Sequence, residues 1–387
     1  SWNIYKEKFF QADFVDMLKL RASYGIGGNI GRNTAPYLIA SYYDSSLVDG
    51  MAGSVNTPPN KDIRWEKTTT VNVGVDFALF RHRLSGTIEY YNKYSVDLLA
   101  AINGSPTQGF GYTTLMTNNG KMVNRGVEIT LSGEIIRQKD FSWNASLLYA
   151  FNRNKVKHIS VQPSLWDSRI SMPTSYPMVG KPLYGIYAYK WAGLNENGDP
   201  QVYDAENNVT SGPARDYHAL VYCGTTVPIH NASLTNVLRY KGFEFSAMLI
   251  LDAGHKLRSS NIPSINMSNG RITSTAKGIV DRWTQPGDVT DVPRLLFSND
   301  TENFNTHRTE LYRYSDLFVY DASNIRLSNI SLAYRVPAHW CKKISLSGAR
   351  LQFNVENVAT FAFDSKANYD LGGKVKPNYV WGLYLNF

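Results

Sequence analysis

Seven histidines (His82, His158, His218, His230, His255, His307 and His339) are scattered through 387 residues, and none has a spacing that does chemistry. There is no H-E-x-x-H pair to hold zinc on a helix face, no G-x-S-x-G elbow, and no carboxylate pair in a pocket-like context. No catalytic residue and no cofactor is expected, so the chain does not read as an enzyme. The densest run of hard oxygen donors is Asn195-Glu196-Asn197-Gly198-Asp199. Calcium takes such oxygens at alternate positions, but the downstream bidentate Glu of an EF-hand loop is missing and Asn197-Gly198 is a strong turn signal. A hairpin turn is expected there, and no metal site. Cys223 and Cys341 offer neither a metal spacing nor a disulfide framework.

The side chains with most to offer are aromatic. Twenty-five Tyr, 17 Phe and 8 Trp make the chain 13% aromatic, yet its mean hydropathy is only −0.31. Segment 155–229 holds Trp166, Tyr176, Tyr184, Tyr187, Tyr189, Trp191, Tyr203, Tyr217 and Tyr222, and segment 253–319 adds Trp283. Aromatic faces stack on sugar rings, and Tyr and Trp dominate protein interfaces. Trp166, Tyr176, Tyr184, Tyr187, Tyr189, Trp191, Tyr217 and Trp283 are therefore candidate contacts for a substrate or a partner protein. The plainer reading is that a large folded loop packs on itself. The net charge of +8 is diffuse, with no Lys/Arg block of the kind that binds nucleic acid.

The elements that position these residues are strands. From Lys67 the odd positions read Thr69, Val71, Val73, Val75, Phe77 and Leu79, against Thr68, Thr70, Asn72, Gly74, Asp76 and Ala78. A tight turn at Arg81-His82-Arg83 leads to a return strand with Leu84, Ile88, Tyr90 and Tyr94 opposing Ser85, Thr87, Glu89 and Lys93. The same period of two recurs around 123–132, 141–154, 232–251 and 321–356. Ile325 and Leu327 are out of phase with Ile330, Leu332 and Tyr334, which predicts a bulge near Ser328-Asn329. The count is about ten strands, all antiparallel. Polar faces carry Arg21, Asn72, Asp76, Glu89, Lys93, Asn124, Glu128, Glu134, Arg350, Asn354 and Glu356, which would line a wet interior or pin a segment packed inside it. The last strand alternates to the final residue, with Tyr379, Trp381, Leu383, Leu385 and Phe387 on one face.

Two architectures accommodate such strands: a transmembrane β-barrel, and a soluble or surface-attached β-rich carbohydrate-binding or adhesion module. Loop lengths separate them. Short turns (81–83, 137–140, 241–242, 337–344) alternate with long loops (25–65, 99–120, 155–229, 253–319, 357–377). An outer-membrane barrel needs that segregation, with periplasmic turns and extracellular loops; Greek-key sandwiches seldom show it. No stretch approaches the ~20 apolar residues of a spanning helix. Parity places Cys223 outside and Cys341 in a periplasmic turn, too far apart to bridge.

Several segments carry a family resemblance. Asp16-Met17-Leu18-Lys19-Leu20-Arg21-Ala22-Ser23-Tyr24-Gly25, Trp65-Glu66-Lys67-Thr68-Thr69-Thr70-Val71-Asn72-Val73-Gly74-Val75-Asp76, Asn124-Arg125-Gly126-Val127-Glu128 and Tyr187-Ala188-Tyr189-Lys190-Trp191-Ala192-Gly193-Leu194 resemble SusC/RagA-type TonB-dependent outer-membrane transporters. So do Asp281-Arg282-Trp283-Thr284-Gln285-Pro286-Gly287-Asp288, Asn329-Ile330-Ser331-Leu332-Ala333-Tyr334 and the terminal strand. The resemblance implies a bacterial outer-membrane barrel of about 22 strands around a plug. Its implied work is import of oligomeric nutrients, glycans first and peptides second, with a SusD-like surface lipoprotein as lid and the TonB complex as energy source. Membrane lipid and lipopolysaccharide would surround it. On this reading residues 1–16 are a periplasmic connector, 17–387 are the C-terminal part of the barrel, and the N-terminal plug is absent. The row Tyr379 to Phe387 would be the strand that barrel-assembly machinery recognises.

Overall fold

The computed structural model describes the chain apart from residues 32–35, 45, 47–48, 104–106, 108–113, 162–167, 213–215, 268–274, 298–305, 344 and 373–375. Its frame is one antiparallel sheet of 11 strands whose spatial order is the sequence order. These are β1 (Trp2–Asn3), β2 (Val15–Asn29), β3 (Glu66–Leu79), β4 (Leu84–Asn103), β5 (Thr114–Arg137), β6 (Phe141–His158), β7 (His230–Tyr240), β8 (Phe243–Ala253), β9 (Asn324–Arg335), β10 (Gly348–Ala362) and β11 (Asn378–Asn386). Ten are long. β1 is a two-residue addition that pairs with Leu20 and Lys19 of β2, inside the segment expected to be only a connector.

Register follows side-chain alternation. Val73 faces Tyr90 across β3 and β4, while Asn72 faces Tyr91 and Asp76 faces Thr87. The apolar row continues through Val127, Phe151 and His230 on the next three strands. Because the period is two, one face of the whole sheet is apolar and the other polar. The apolar face is not covered by protein: Val73, Ile88, Tyr90, Phe245, Leu332, Leu351, Trp381 and Leu383 are all exposed.

Four strands outrun their sequence-based limits. β2 continues through Gly25, Gly27 and Gly28, which pair with Thr70, Thr68 and Lys67; their lack of side chains made the stretch read as loop. Trp65 lies against Gly28, where a Cβ would meet its ring. β4 and β5 extend to Asn103 and Thr114, so 99–120 is mostly ladder rather than loop. A shift between Ser95 and Leu98 breaks the alternation there, and Asp97 sits at φ +57°. β10 likewise runs on through Ala362. Beyond β2, residues 30–65 contain a further hairpin, Ile39–Asp44 with Met51–Thr57.

The bulge lies where the phase change puts it. Leu249 pairs with Leu327 and Met248 with Asn329, leaving Ser328 as the extra residue. On the other side two residues, Asn357 and Val358, oppose Ser328. Ile325 and Leu327 thereby stay on the apolar face with Leu249 and Leu251.

The densest core lies outside the sheet. The described residues of segments 159–229 and 254–323 form a folded loop body in which Tyr187, Tyr189, Val202, Ala219, Leu220 and Leu311 pack as one cluster. Ile265, Tyr312 and Phe318 form a second, and Trp191 packs against both. Strand Gly185–Tyr189 pairs with Leu220–Thr225, and Lys256–Arg258 with Val319–Asp321. Cys223 belongs to this body and Cys341 to the short turn after β9, at opposite ends of the sheet; both thiols are free.

Asn357 has φ +54°, a conformation that costs most L-residues about 1–2 kcal/mol and that Asn tolerates. Asn357→Val should lower unfolding stability in urea by about that amount, and Asn357→Gly should leave it within a few tenths.

Candidate functional site: the polar face and the loop body

On the polar face, Arg21 is the hub. Its Nε donates to Asp76 Oδ2 at 2.8 Å and its Nη2 to Asp76 Oδ1 at 2.9 Å, with a third, longer bond to Glu89 at 3.3 Å. Such bidentate geometry fixes direction as well as charge. Thr87 donates to the same aspartate and Asn72 to Glu89. Arg21 pairs in register with Gly74, and the missing Cβ leaves room for the guanidinium, which stands 3.1 Å from where that atom would be. Sequence alternation predicted all five polar residues on one face; the structure adds that they bond to one another.

The remaining polar-face residues form smaller groups. Lys93 lies over the Tyr91 ring at 5.1 Å. Asn124 accepts from Asn154, whose own oxygen accepts from the Leu183 backbone at 2.7 Å, tying this face to the loop body. Glu128 stands directly across from Glu89. Arg350 donates to Glu244, which also takes Arg239, and Gln352 donates to Asn354. Glu134 pairs with Arg137, while Glu356 is exposed beside the bulge. These groups can hydrogen-bond a polar solute or a segment packed against them.

The aromatic candidates divide sharply. Tyr187 and Tyr189 are 1% and 0% exposed: they are the core of the loop body and are not available to a substrate or partner, contrary to the expectation. Alternation of a five-residue strand buried on both faces cannot be told from sequence. Burial pushes the Tyr312 phenol of the second cluster well up. Trp191 is half-buried, its Nε1 donating to Asp291 and its ring against Tyr312. Trp283 lies against Gly198, and Tyr217 packs at a tilt on the His218 ring and faces the Arg169 guanidinium at 5.0 Å. Tyr176 lines an apolar cavity of about 500 Å³ with Leu98, Met116, Met122 and Leu183. Among the described residues of the set, Tyr184 alone is exposed. Trp166 lies outside the described residues.

Three further open aromatics were not among the candidates: Tyr37, just before the hairpin of residues 39–57, and Tyr42 and Tyr43 on it are 76%, 73% and 54% exposed. Their short, Ser- and Asn-rich setting read as loop punctuation.

Asn195 to Asp199 is a turn. Asn195 Oδ1 accepts from the amides of Asn197 and Asp199, and Gly198 takes φ +74°. The Asp199 carboxylate points at two guanidiniums, Arg294 at 2.8 Å and Arg308 at 2.8 Å. Arg308, 3% exposed, also reaches Asn266 and the carbonyl of Arg294, so one residue stitches segment 254–323 to segment 159–229. Burial lowers its pKa and Asp199 pulls the other way. Arg258 is a second stitch, donating to the Tyr187 and Ser315 carbonyls. Nothing local in sequence marks either arginine. Burial pushes the Cys223 thiol up to about 11. At the root of the body, burial opposes the charge of Asp321, but bonds from Ser323 and Lys256 outweigh it and hold the carboxyl at about 2. Among the described residues no group of three His, Cys, Asp or Glu side chains converges as a metal site.

An antiparallel meander that is apolar and uncovered on one face, ion-paired on the other and crowned by folded loops at one end is an outer-membrane β-barrel sheet. The chain belongs to the TonB dependent receptor-like β-barrel family, whose family model matches residues 4–358. It is 26% identical over 411 residues to TonB-dependent receptor P3 of Formosa agariphila, covering 99% of this chain and 39% of that protein. It is also 26% identical to TonB-dependent receptor SusC of Bacteroides thetaiotaomicron, covering 92% of this chain and 36% of that one. The fold matches a chain of the RagAB peptide transporter with a TM-score of 0.78 at 23% identity, over 100% of this chain and 42% of that chain. The chain thus spans about two-fifths of the length of the relatives it matches.

Removing one partner from a buried ion pair leaves the other charge uncompensated, at about 3–5 kcal/mol. Asp199→Ala should therefore lower the opening free energy of the loop body by about that much, read as faster amide exchange across 185–225 and 256–320 with β3 to β5 unchanged. Adding Arg308→Met should recover part of it.

Proposed function

We propose that this chain is the C-terminal part of a transporter barrel that imports oligomeric nutrients through the outer membrane, using TonB-supplied energy and a SusD-like lipoprotein as lid. The single observation that carries this reading is the division of one continuous sheet into an exposed apolar face and an ion-paired polar face. In lipid the first needs no cover, and the second needs either water or protein. Arg21, Asn72, Asp76, Glu89, Lys93, Asn124, Glu128, Arg350 and Asn354 then face the lumen, where they hold a plug segment or line the passage. Tyr379, Trp381, Leu383, Leu385 and Phe387 face lipid, as a row for barrel assembly.

On this assignment the short turns are periplasmic and the loop body is extracellular. The body's packed core supports a rigid platform rather than loose coil, and rigid platforms suit docking. Lid contact belongs to the exposed hairpin at 39–57 and to Tyr184 rather than to the buried tyrosines. The likeness of the fold to the RagAB peptide transporter supports peptides as cargo; the polar and aromatic lining serves oligosaccharides equally. No bond chemistry is assigned to the chain. Family membership and the uncovered apolar face weigh against the alternative, a soluble adhesion module.

Two experiments test the assignment. Lys at the bilayer midplane on a lipid-facing position costs about 2–4 kcal/mol, so Val73→Lys should abolish assembly of the full-length barrel in membranes while Asn72→Lys assembles normally; equal effects would overturn the face assignment. Tyr42→Ser combined with Tyr43→Ser should lower the amount of surface lipoprotein that copurifies, with the barrel still folded. Unchanged copurification would remove the hairpin from the interface.

A further inference from the structure

The apolar face changes character just below the loop body. Val73, Tyr90, Val127 and Phe151 form one cross-strand row, with His230 continuing it. Two residues nearer the long loops, the next row reads Val71, Asn92, Arg125 and Arg153. Arg125 and Arg153 are directly opposite each other in the ladder, and like charges so placed are destabilising. Arg125 Nε donates to Asn92 Oδ1 at 2.9 Å. Lys155 follows Arg153 on the same face, and all three cations are exposed. The ion pairs of the described residues include none of Arg125, Arg153, Lys155 or Lys181.

A cleft opens beside this group. Above the Phe151 and His230 pair, β7 leaves β6, and segments 180–182 and 222–229 close over a space of about 420 Å³. Arg153, Lys155, Lys181, Tyr222 and Phe151 line it, and no Asp or Glu does. Lys181 is held over the Tyr222 ring at 4.8 Å. Like charges facing each other in a ladder with no counter-ion are costly unless something supplies negative charge.

We propose that this is a binding site for the phosphorylated headgroup of an outer-leaflet lipid, a proposal that rests on the face assignment above. Phosphate bridges Arg125 and Arg153, where two guanidiniums give the fork geometry that oxyanions favour. Acyl chain runs down the sheet over Phe151 and Val127, with the Tyr149 hydroxyl bonded to His230 at 2.8 Å marking the interfacial level. A free anion would satisfy the cations alone; the apolar row directly beneath them is what selects an amphiphile. The like-charge pair then acts as a lipid-dependent clasp, relieved only when the site is filled.

The test uses the full-length protein in neutral detergent, with heat-modifiable gel mobility as the measure of a folded barrel. The probes are bisphosphorylated lipid A, the same lipid stripped of its phosphates, and inorganic phosphate. Wild type should bind the phosphorylated lipid about tenfold or more tightly than the stripped one, and Arg125→Gln with Arg153→Gln should erase the difference. Lys155→Gln with Lys181→Gln, one near the end of its strand and one in the loop body, should give a partial loss and serves if the first pair fails to fold. Equal binding of the two lipids, or folded variants that keep the preference, would overturn the site. Displacement of the lipid by millimolar inorganic phosphate would make it a soluble-anion site and overturn the lipid claim. A wild-type protein without heat-modifiable mobility would instead overturn the barrel reading itself.

Discussion

Every backbone N–H and C=O within hydrocarbon must find a partner in the protein, because no water is there to supply one. The sheet answers this with long, mostly uninterrupted ladders. β7 pairs residue for residue with both neighbours from His230 to Tyr240, and β3 meets β4 without a break from Lys67 to Leu79. Register shifts fall around residues 15–17, 95–98, 121–122, 134–136 and 327–329. The last is arranged to keep Ile325 and Leu327 with the apolar row. The same constraint bears on β11, which pairs with β10 along one edge only; a membrane-spanning sheet resolves such an edge by closing on further strands.

The distribution of burial follows from the solvent on each side. A soluble domain buries its sheet's apolar face; here that face carries exposed Trp381, Leu383 and Leu351, and lipid takes the place of a core. Residues in water obey the ordinary rule, so the fully buried side chains gather in the loop body, around Tyr187, Tyr189, Tyr312 and Val202. That body resembles a small soluble domain built from two insertions, and insertions from different parts of the chain need stitching. Arg308 and Arg258 do this with charge-assisted bonds to Asp199 and to backbone carbonyls.

How much was legible tracks how local the physics is. The strands around Val73 and Tyr90 could be read residue by residue because one face meets lipid and the other meets polar groups, and the contrast prints a period of two. The bulge at Ser328 was legible as a phase error in that print. Gly25 to Gly28 and residues 99–103 were not, since a ladder with no lipid on either side imposes no alternation. Among the aromatic candidates, composition identified the right segment but not which rings face inward: Tyr187 and Tyr184 sit three residues apart, one 1% exposed and one 50%.

The sequence by itself determined the meander, its faces and the polar residues from Arg21 to Asn354, because side-chain alternation against two different media is written in neighbouring residues. Only the tertiary structure decided that Arg21 serves Asp76 and Glu89 together, that Asp199 holds two arginines rather than a metal, and that Arg125 and Arg153 stand face to face. Those depend on contacts between residues 28 to 109 positions apart, which the ladder register and loop folding set and which leave no local signature in the chain.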